Sequence, residues 1–564
     1  MVGVMMPPPT MSMMKEQIVH FIQTTLENAV AKGILKNVPS FGLETPDRPE
    51  HGDFATTLSL TLAKKEQKSP KAIAALLIGE MTRHPHPLIQ KIEMAGPGYI
   101  NIFMTKASWH QALIDIHAQG ASYGQTLIGA GKRVLIEFVS ANPTGPLHVA
   151  HGRAAVMGEA IARLMTTVGY RVEREYYIND IGRQISLLGQ STALRYQELF
   201  GKEITLPEEG YRGDYIIDMA RVLKESEGDR HLVRSPEDPF FVEYSYKTIL
   251  AWIRRDLDQF GIVYDRWFAE STLVPDQETV FDLLRSQGVL YEEAGALWVA
   301  TSRYGDDKDR VVKRANQQTT YFASDIAYHQ NKYQRGYDRM INIWGADHHG
   351  YVARVKAAVA AMGYPPEKLH VLIHQLVNLQ RNGQPVAMSK RSGEFVTLRE
   401  VMEEVGADVT RFFFLMRRAD SSVDFDLEVA KKSSDENPVY YVQYAYARIC
   451  SIVRVAAAQG WNVSGQNILI EELLVLDQPE EQKLIKQLAR YPEMILAAAE
   501  GLEPHRMTFY LQELAGGVHR YYFSRRVVSE DKALTHARLI LVTAVQIVLK
   551  NAFHLIGIEA PERM

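Results

Sequence analysis

A doubly wound α/β domain on a parallel sheet, with an α+β unit ahead of it and an all-helical bundle behind it, is the architecture this sequence predicts. Three observations lead there. "RVLIEFVS" (Arg133–Ser140) is a continuous apolar run of the kind a strand buried on both faces shows. A loop, the amphipathic "HVAHGRAAVMGEAIARLMTTV" and a second strand-like run, "RVEREYYIN", follow it, which is the order of a βαβ unit. The order recurs in "MINIWGADHHG" and "YVARVKAAVAAMG", and from Leu398 onward the chain reads as almost entirely helical.

At 564 residues the chain exceeds one core and holds several domains of ~150 residues. With 46% hydrophobic residues and no long apolar run, it reads as soluble and globular, with no membrane partner. A single cysteine, Cys450, excludes disulfides within the chain and multi-thiolate zinc sites, and fits a cytoplasmic protein. The net charge of −4 carries no overall nucleic-acid signal, so a nucleic-acid partner has to meet a local basic surface.

Residues 1–13 lack the basic start and apolar core of a secretory signal and read as a disordered tail or an overlong gene start. Residues 14–122 form the α+β unit: "KEQIVHFIQTTLENAV" is an amphipathic helix, and "IEMAGPGYINIFM" is two short strands around a Gly-Pro-Gly turn. Residues 123–419 form the parallel-sheet, Rossmann-like domain, with an irregular insertion at about 201–311. Gly169 is the expected stop of its first helix. Residues 420–564 form the helical domain.

Chemistry concentrates at "GPLHVAHGR". His148 and His151, three residues apart, share the first-turn face of the helix, where unpaired backbone N–H groups and the positive end of the macrodipole attract phosphate. A zinc site would need a third ligand and normally a His-x-x-x-His spacing. Taken alone, the pair also fits two histidines with no special task. A second element, "QPVAMSKRSGEFVTLRE", has a tight turn at Asn382-Gly383, a strand to Met388, and a polar Gly-containing loop. A capping box, Thr397 to Glu400, opens the next helix. A solvated basic turn is the plain alternative for that loop.

Together these stretches resemble class I aminoacyl-tRNA synthetases, with "HVAH" in place of His-x-Gly-His and "AMSKR" in place of Lys-Met-Ser-Lys-Ser. "IEFVSANPTGPLHVAHGR", "REYYINDIGRQI", "TTYFASDIAYH", "GADVTRFFFLMR", "ENPVYYVQYAYARI" and the terminal "APERM" resemble the bacterial arginyl-tRNA synthetase family, from about Lys15 to Met564. Ala150 replaces the usual glycine and Ala387 the first lysine of the loop motif, while Lys390 is kept. Some members lack that lysine and carry one three residues before the first histidine; here Gly145 stands there.

The resemblance implies ATP-dependent formation of arginyl-adenylate and transfer of arginine to the terminal adenosine of tRNA(Arg). It assigns His148, His151 and Lys390 to catalysis. ATP, with Mg²⁺ on its phosphates and no zinc, is expected against His148, His151, Gly152, Gly345, Asp347, His348, Met388, Ser389 and Lys390. Arginine is expected against Glu137, Asn142, His151, Tyr321 and Asp325. Glu137 sits inside an apolar strand, where a structural ion pair is the alternative.

For tRNA the resemblance gives Asp53, Tyr441, Tyr444, Arg448 and Met564. Tyr441, Tyr444 and Arg448 form one helix stripe, which by propensity alone reads as core. "HRYYFSRRV" adds basic and aromatic surface, and "HGDFATTLSL" resembles a D-loop-binding unit in which Thr57 stands where Asn is common. A monomer is expected. Two rivals are a nucleotidylyltransferase, which would not need the large helical domain, and a non-catalytic tRNA-binding relative, against which the retained His148, His151 and Lys390 argue.

Overall fold

The computed structural model describes residues 11–46, 48–386, 396–463 and 467–564. The first helix spans Met11–Ala31, starting ahead of the Met14 expected. It packs with helix Pro70–Arg83, whose N-terminus is capped by Ser69, on an antiparallel sheet of β1 (Phe54–Thr56), β2 (Ile89–Ala95) and β3 (Tyr99–Met104) in the order β1-β3-β2.

The central sheet begins with β4 (Arg133–Glu137), whose last four residues are buried as the apolar run predicts. Helix Val149–Thr167, ended by Gly169 at φ +93°, leads to β5 (Arg171–Ile178). Three helices, Arg183–Glu198, Asp214–Glu227 and Pro239–Gln259, precede β6 (Arg266–Ala269). An antiparallel three-stranded sheet of β7 (Leu290–Glu293), β8 (Ala296–Val299) and β9 (Arg310–Lys313) follows. Helix Tyr321–Gln334 then returns the chain to β10 (Arg339–Gly345) and, through helix Tyr351–Ala361, to β11 (Leu369–His374).

The central sheet is wholly parallel, in the order β11-β10-β4-β5-β6. The chain lays three strands to one side, then returns to add two on the other, so the winding reverses between β4 and β10. In such sheets ligands bind in the crevice at the carboxyl ends of the strands flanking that reversal.

Two boundaries differ from the sequence reading. The stretch 201–311 is not one insertion, because β6 within it is the edge strand of the central sheet. Past residue 420 the chain still belongs to a small sheet, in which β12 (Val377–Arg381) pairs with β13 (Gln384–Pro385) and with β14 (Val423–Asp426). The long helices begin at Pro438–Ala458 and include Pro479–Ala489, Tyr491–Glu500, His505–Ser524 and Lys532–Ile556. The last is apolar and long enough to cross a membrane, but it lies mostly buried as the core of this bundle.

The two ends of the chain meet. Helix Lys106–Gln119 packs on helices Pro479–Ala489 and Lys532–Ile556, with ion pairs Lys15–Glu493 at 2.6 Å and Asp53–Lys486 at 2.5 Å across the junction.

Candidate active site and nucleic-acid surface

At the end of β4 the backbone turns sharply: Val139 (φ +69°) and Ser140 (φ +42°) are both left-handed, a costly state for a β-branched residue. The turn delivers "NPTGPLH" to the crevice and ends on His148, which precedes helix Val149–Thr167. The rings of His148 and His151 stack with centroids 3.7 Å apart, and the His148 N–H donates to His151 Nδ1 at 3.3 Å. The helix N-terminus and the paired imidazoles thus face the same crevice.

The chain that follows the loop motif meets the start of this helix. Thr397 forms an antiparallel bridge with His148, and the Leu398 N–H donates to the Leu147 carbonyl at 2.8 Å. The expected capping box is present: Glu400 N–H donates to Thr397 Oγ1 at 3.1 Å, and Thr397 N–H donates to Glu400 Oε2 at 2.7 Å. Met388, Ser389 and Lys390 lie outside the described residues. Gly152 faces Leu398 and Phe414, where an added Cβ would stand 2.6 and 2.9 Å from their side chains. Its lack of a side chain is what lets the two helices close on each other.

Across the reversal, Gly345 ends β10, and Asp347 and His348 lie in the following turn, both largely exposed. His374, beside Gly345 on β11, is held neutral by burial, its pKa pushed down to about 4.

Helix Tyr321–Gln334 forms the acidic wall. Tyr321 is 61% exposed at its first turn, so its hydroxyl is open to a ligand, and one turn later Asp325 accepts a hydrogen bond from the Tyr351 hydroxyl. Burial raises the Asp325 carboxyl to about 7; Tyr351 and Lys332 oppose the rise, and the acids Glu270 and Glu137 add to it. Glu270, at the end of β6, is 5% exposed, and its carboxyl is raised chiefly by burial, with Ser324 and Tyr177 opposing the rise. The sequence reading did not name Glu270. Its signal was "RWFAE", an acid closing an apolar strand just as Glu137 closes "RVLIE".

Glu137 itself is already engaged. Its Oε2 meets Lys332 Nζ at 2.5 Å and its Oε1 accepts from Ser140 Oγ at 2.9 Å, the ion pair weighed from the sequence. Asn142 is exposed and donates to Gln184 Oε1 at 2.8 Å. Among the described residues no group of three or more His, Cys, Asp or Glu comes together to hold a metal ion.

On helix Pro438–Ala458, Tyr441, Tyr444 and Arg448 are half-buried. The Arg448 guanidinium lies 4.2 Å over the Tyr444 ring, 4.8 Å from Tyr522 and 5.3 Å from Phe523, and donates to His519 Nδ1 at 3.1 Å. A cleft of about 470 Å³ lined by Tyr441, Glu480, His519, Arg520 and Phe523 opens beside them, with Phe523 77% exposed. Such an open aromatic and cationic surface suits unstacked bases. The tail ending at Met564 returns to this helix, Arg454 donating to the Glu562 carbonyl at 3.1 Å. Asp53 is placed differently: it is 9% exposed, and its carboxylate is taken by Lys486 and by the Met104 N–H at 2.8 Å.

The sheet order and this crevice agree with a family model described as the catalytic domain of class I tRNA synthetases (R), which matches residues 112–413. Models described as the arginyl tRNA synthetase N-terminal domain and the DALR anticodon-binding domain match residues 16–104 and 442–564. The chain belongs to the arginyl-tRNA synthetase family. It is 49% identical over 558 residues to the arginine–tRNA ligase of Citrifermentans bemidjiense, covering 98% of this chain and 100% of that one. The same identity and coverage hold for the arginine–tRNA ligase of Geobacter sp. strain M21. The solved arginyl-tRNA synthetase of Thermus thermophilus superposes with a TM-score of 0.74 at 25% identity, covering 98% of this chain and all of that one.

Proposed function

We propose that this chain is an arginine–tRNA ligase: it activates L-arginine with ATP and transfers it to the terminal adenosine ribose of tRNA(Arg), releasing pyrophosphate and AMP. The observation that carries this reading is the convergence, at the winding reversal, of the paired histidines with a buried acidic wall. One side suits a triphosphate and the other a guanidinium.

The arginine carboxylate attacks the α-phosphorus of ATP, and the bond to the bridging oxygen breaks to release pyrophosphate. A ribose hydroxyl of the tRNA end, the 2′-OH in the class I pattern, then attacks the activated carbonyl and AMP leaves. The carboxylate is an adequate nucleophile, so the first step rests on positioning and on stabilising phosphate charge. His148, His151, the helix N-terminus beside them and Lys390 supply donors or positive charge to the phosphates, which carry Mg²⁺. The Gly345–His348 turn takes the ribose side of ATP.

The guanidinium presents five donors in a planar fork that a carboxylate matches. Asp325 and Glu270 hold that end, Tyr321 and Asn142 complete the polar shell, and Glu137 shapes the wall through its ion pair. The aromatic surface around Tyr441, Tyr444 and Arg448 takes the anticodon. The enzyme is read as a cytoplasmic monomer.

ATP–pyrophosphate exchange tests the reading. Exchange is expected with arginine and tRNA together, not with lysine, and not with arginine alone at the full rate. Exchange independent of arginine would overturn the substrate assignment.

A further inference from the structure

We propose that Lys332 is a positioning residue for the arginine site, an internal cation that locks the helix bearing Asp325 to the strained turn after β4. The proposal rests on the arginine assignment above. The Lys332 side chain is 0% exposed. Its ammonium is 2.5 Å from Glu137 Oε2 on β4, 2.9 Å from Asn342 Oδ1 on β10, and 4.2 Å over the ring of Tyr328. Glu137 and Asn342 are direct neighbours in the parallel register, so one ammonium bridges the two strands that flank the winding reversal.

The contacts continue in both directions. Because Asn342 offers Oδ1 to the lysine, its Nδ2 is left to donate to His329 Nε2 at 3.2 Å. His329 Nδ1 then donates to the Asp325 carbonyl at 2.7 Å. Burial keeps His329 neutral, as that arrangement requires, with its pKa pushed down to about 3. On the other side, Ser140 Oγ donates to Glu137 Oε1 at 2.9 Å and accepts from the Tyr177 N–H at 3.1 Å. Ser140 and Val139 are the two left-handed residues, and a strained turn persists only where its surroundings over-determine it. Tyr264 donating to the Phe138 carbonyl at 3.0 Å and Tyr176 donating to the Ala141 carbonyl at 2.8 Å complete the hold.

The consequence is both geometric and electrostatic. Lys332 lies seven residues after Asp325 and eleven after Tyr321, on the same helix face, so a shift of its anchor moves both. It also neutralises Glu137, leaving Asp325 and Glu270 as the acids for the guanidinium. The charged and titratable groups around Asp325 are Glu270, Glu137, Lys332, Tyr351 and Tyr177, with His329 beside its carbonyl.

The test compares wild type, Lys332→Met and Ser140→Gly in ATP–pyrophosphate exchange with tRNA, normalised to active sites. Wild type lacking arginine-dependent exchange would defeat the parent reading, and the direct arginine affinity of each variant would then judge this one. In Lys332→Met the arginine KM rises by about 10- to 100-fold, the scale of a displaced contact, while the ATP KM holds. The pH midpoint of arginine KM moves up, because a cation that favours ionised Asp325 is gone.

Ser140→Gly orphans no buried charge and suits a left-handed backbone, so it folds even if Lys332→Met does not. Its arginine KM rises by about 3- to 30-fold, since both hydrogen bonds of Ser140 Oγ, to Glu137 and from Tyr177, are lost, with the ATP KM unchanged. A purely structural lysine would lower only the melting temperature and the active fraction. An unchanged arginine KM and pH profile in Lys332→Met, or an unchanged arginine KM in Ser140→Gly, overturns the proposal.

Discussion

Arginine affinity should titrate with a midpoint near neutrality, and Asp325 should be the cause. Burial raises its carboxyl to about 7, so in the free protein part of the population carries a proton there at physiological pH. A guanidinium needs the ionised form and stabilises it, so binding expels that proton and is favoured as pH rises. For a carboxyl at about 7, the ionised fraction is ~0.9 at pH 8 and ~0.1 at pH 6, a loss of roughly tenfold in affinity. Glu270, raised in the same sense, can steepen the slope but not reverse it. Calorimetry of arginine binding at pH 6, 7 and 8, in buffers of different ionisation enthalpy, reads the affinity and the proton release together. Asp325→Asn should abolish most of the slope and weaken binding by about 10²-fold or more, since removing one partner of a buried charge pair costs ~3–5 kcal/mol. Affinity flat from pH 6 to 8, proton uptake on binding, or a full slope surviving in Asp325→Asn would refute the reasoning.

Lys390→Ala should slow adenylate formation by about 10²–10³-fold with arginine binding little changed, as single-turnover rates will show. Tyr444→Ala should weaken tRNA binding by roughly 1–3 kcal/mol if a base stacks there, whereas a fall in melting temperature with normal charging would mark it as core. Gly152→Ala forces a methyl into Leu398 and Phe414 and should cost about 1–3 kcal/mol in denaturant unfolding. It should also raise the ATP KM, since helix Leu398–Val405 anchors Thr397 against His148.

The sequence made the long elements legible because their periods are unambiguous. The run "RVLIE" reads as a buried strand, and the helix after it shows its apolar stripe over five turns. The four-residue strand "RWFA" carries too few residues for a period, so β6 was absorbed into an apparent insertion, and Glu270 with it. "VDFD" does alternate, but its partner β12 lies 46 residues earlier in sequence, a pairing that local pattern cannot reveal. Tyr321 and Asp325 came from the family resemblance, and their spacing of four agrees with one face of the helix observed. Lys332 continues that same stripe, yet a lysine near a helix end reads as solvated until the strands it bridges are known. Asp53 shows the converse: the resemblance offered it to tRNA, while its carboxylate is held by Lys486 from the far end of the chain.

That claim has a consequence for how the protein is made. Asp53 and Lys486 are separated by 433 residues, so at ~5–20 residues per second a ribosome needs roughly 20–90 s to deliver the second after the first. During that interval the first 120 residues have the strands and helices of their own small core. The face of helix Lys106–Gln119 that later meets Pro479–Ala489 and Lys532–Ile556 is still uncovered, with Trp109, Leu113 and Ile116, all buried in the finished protein, among its apolar residues. The nascent chain therefore carries a sticky apolar face, and an Asp53 held by Met104 but still without its lysine, for most of its synthesis. Slow codons or a scarce chaperone in that window would be felt as lost yield rather than as lost activity in the molecules that survive it.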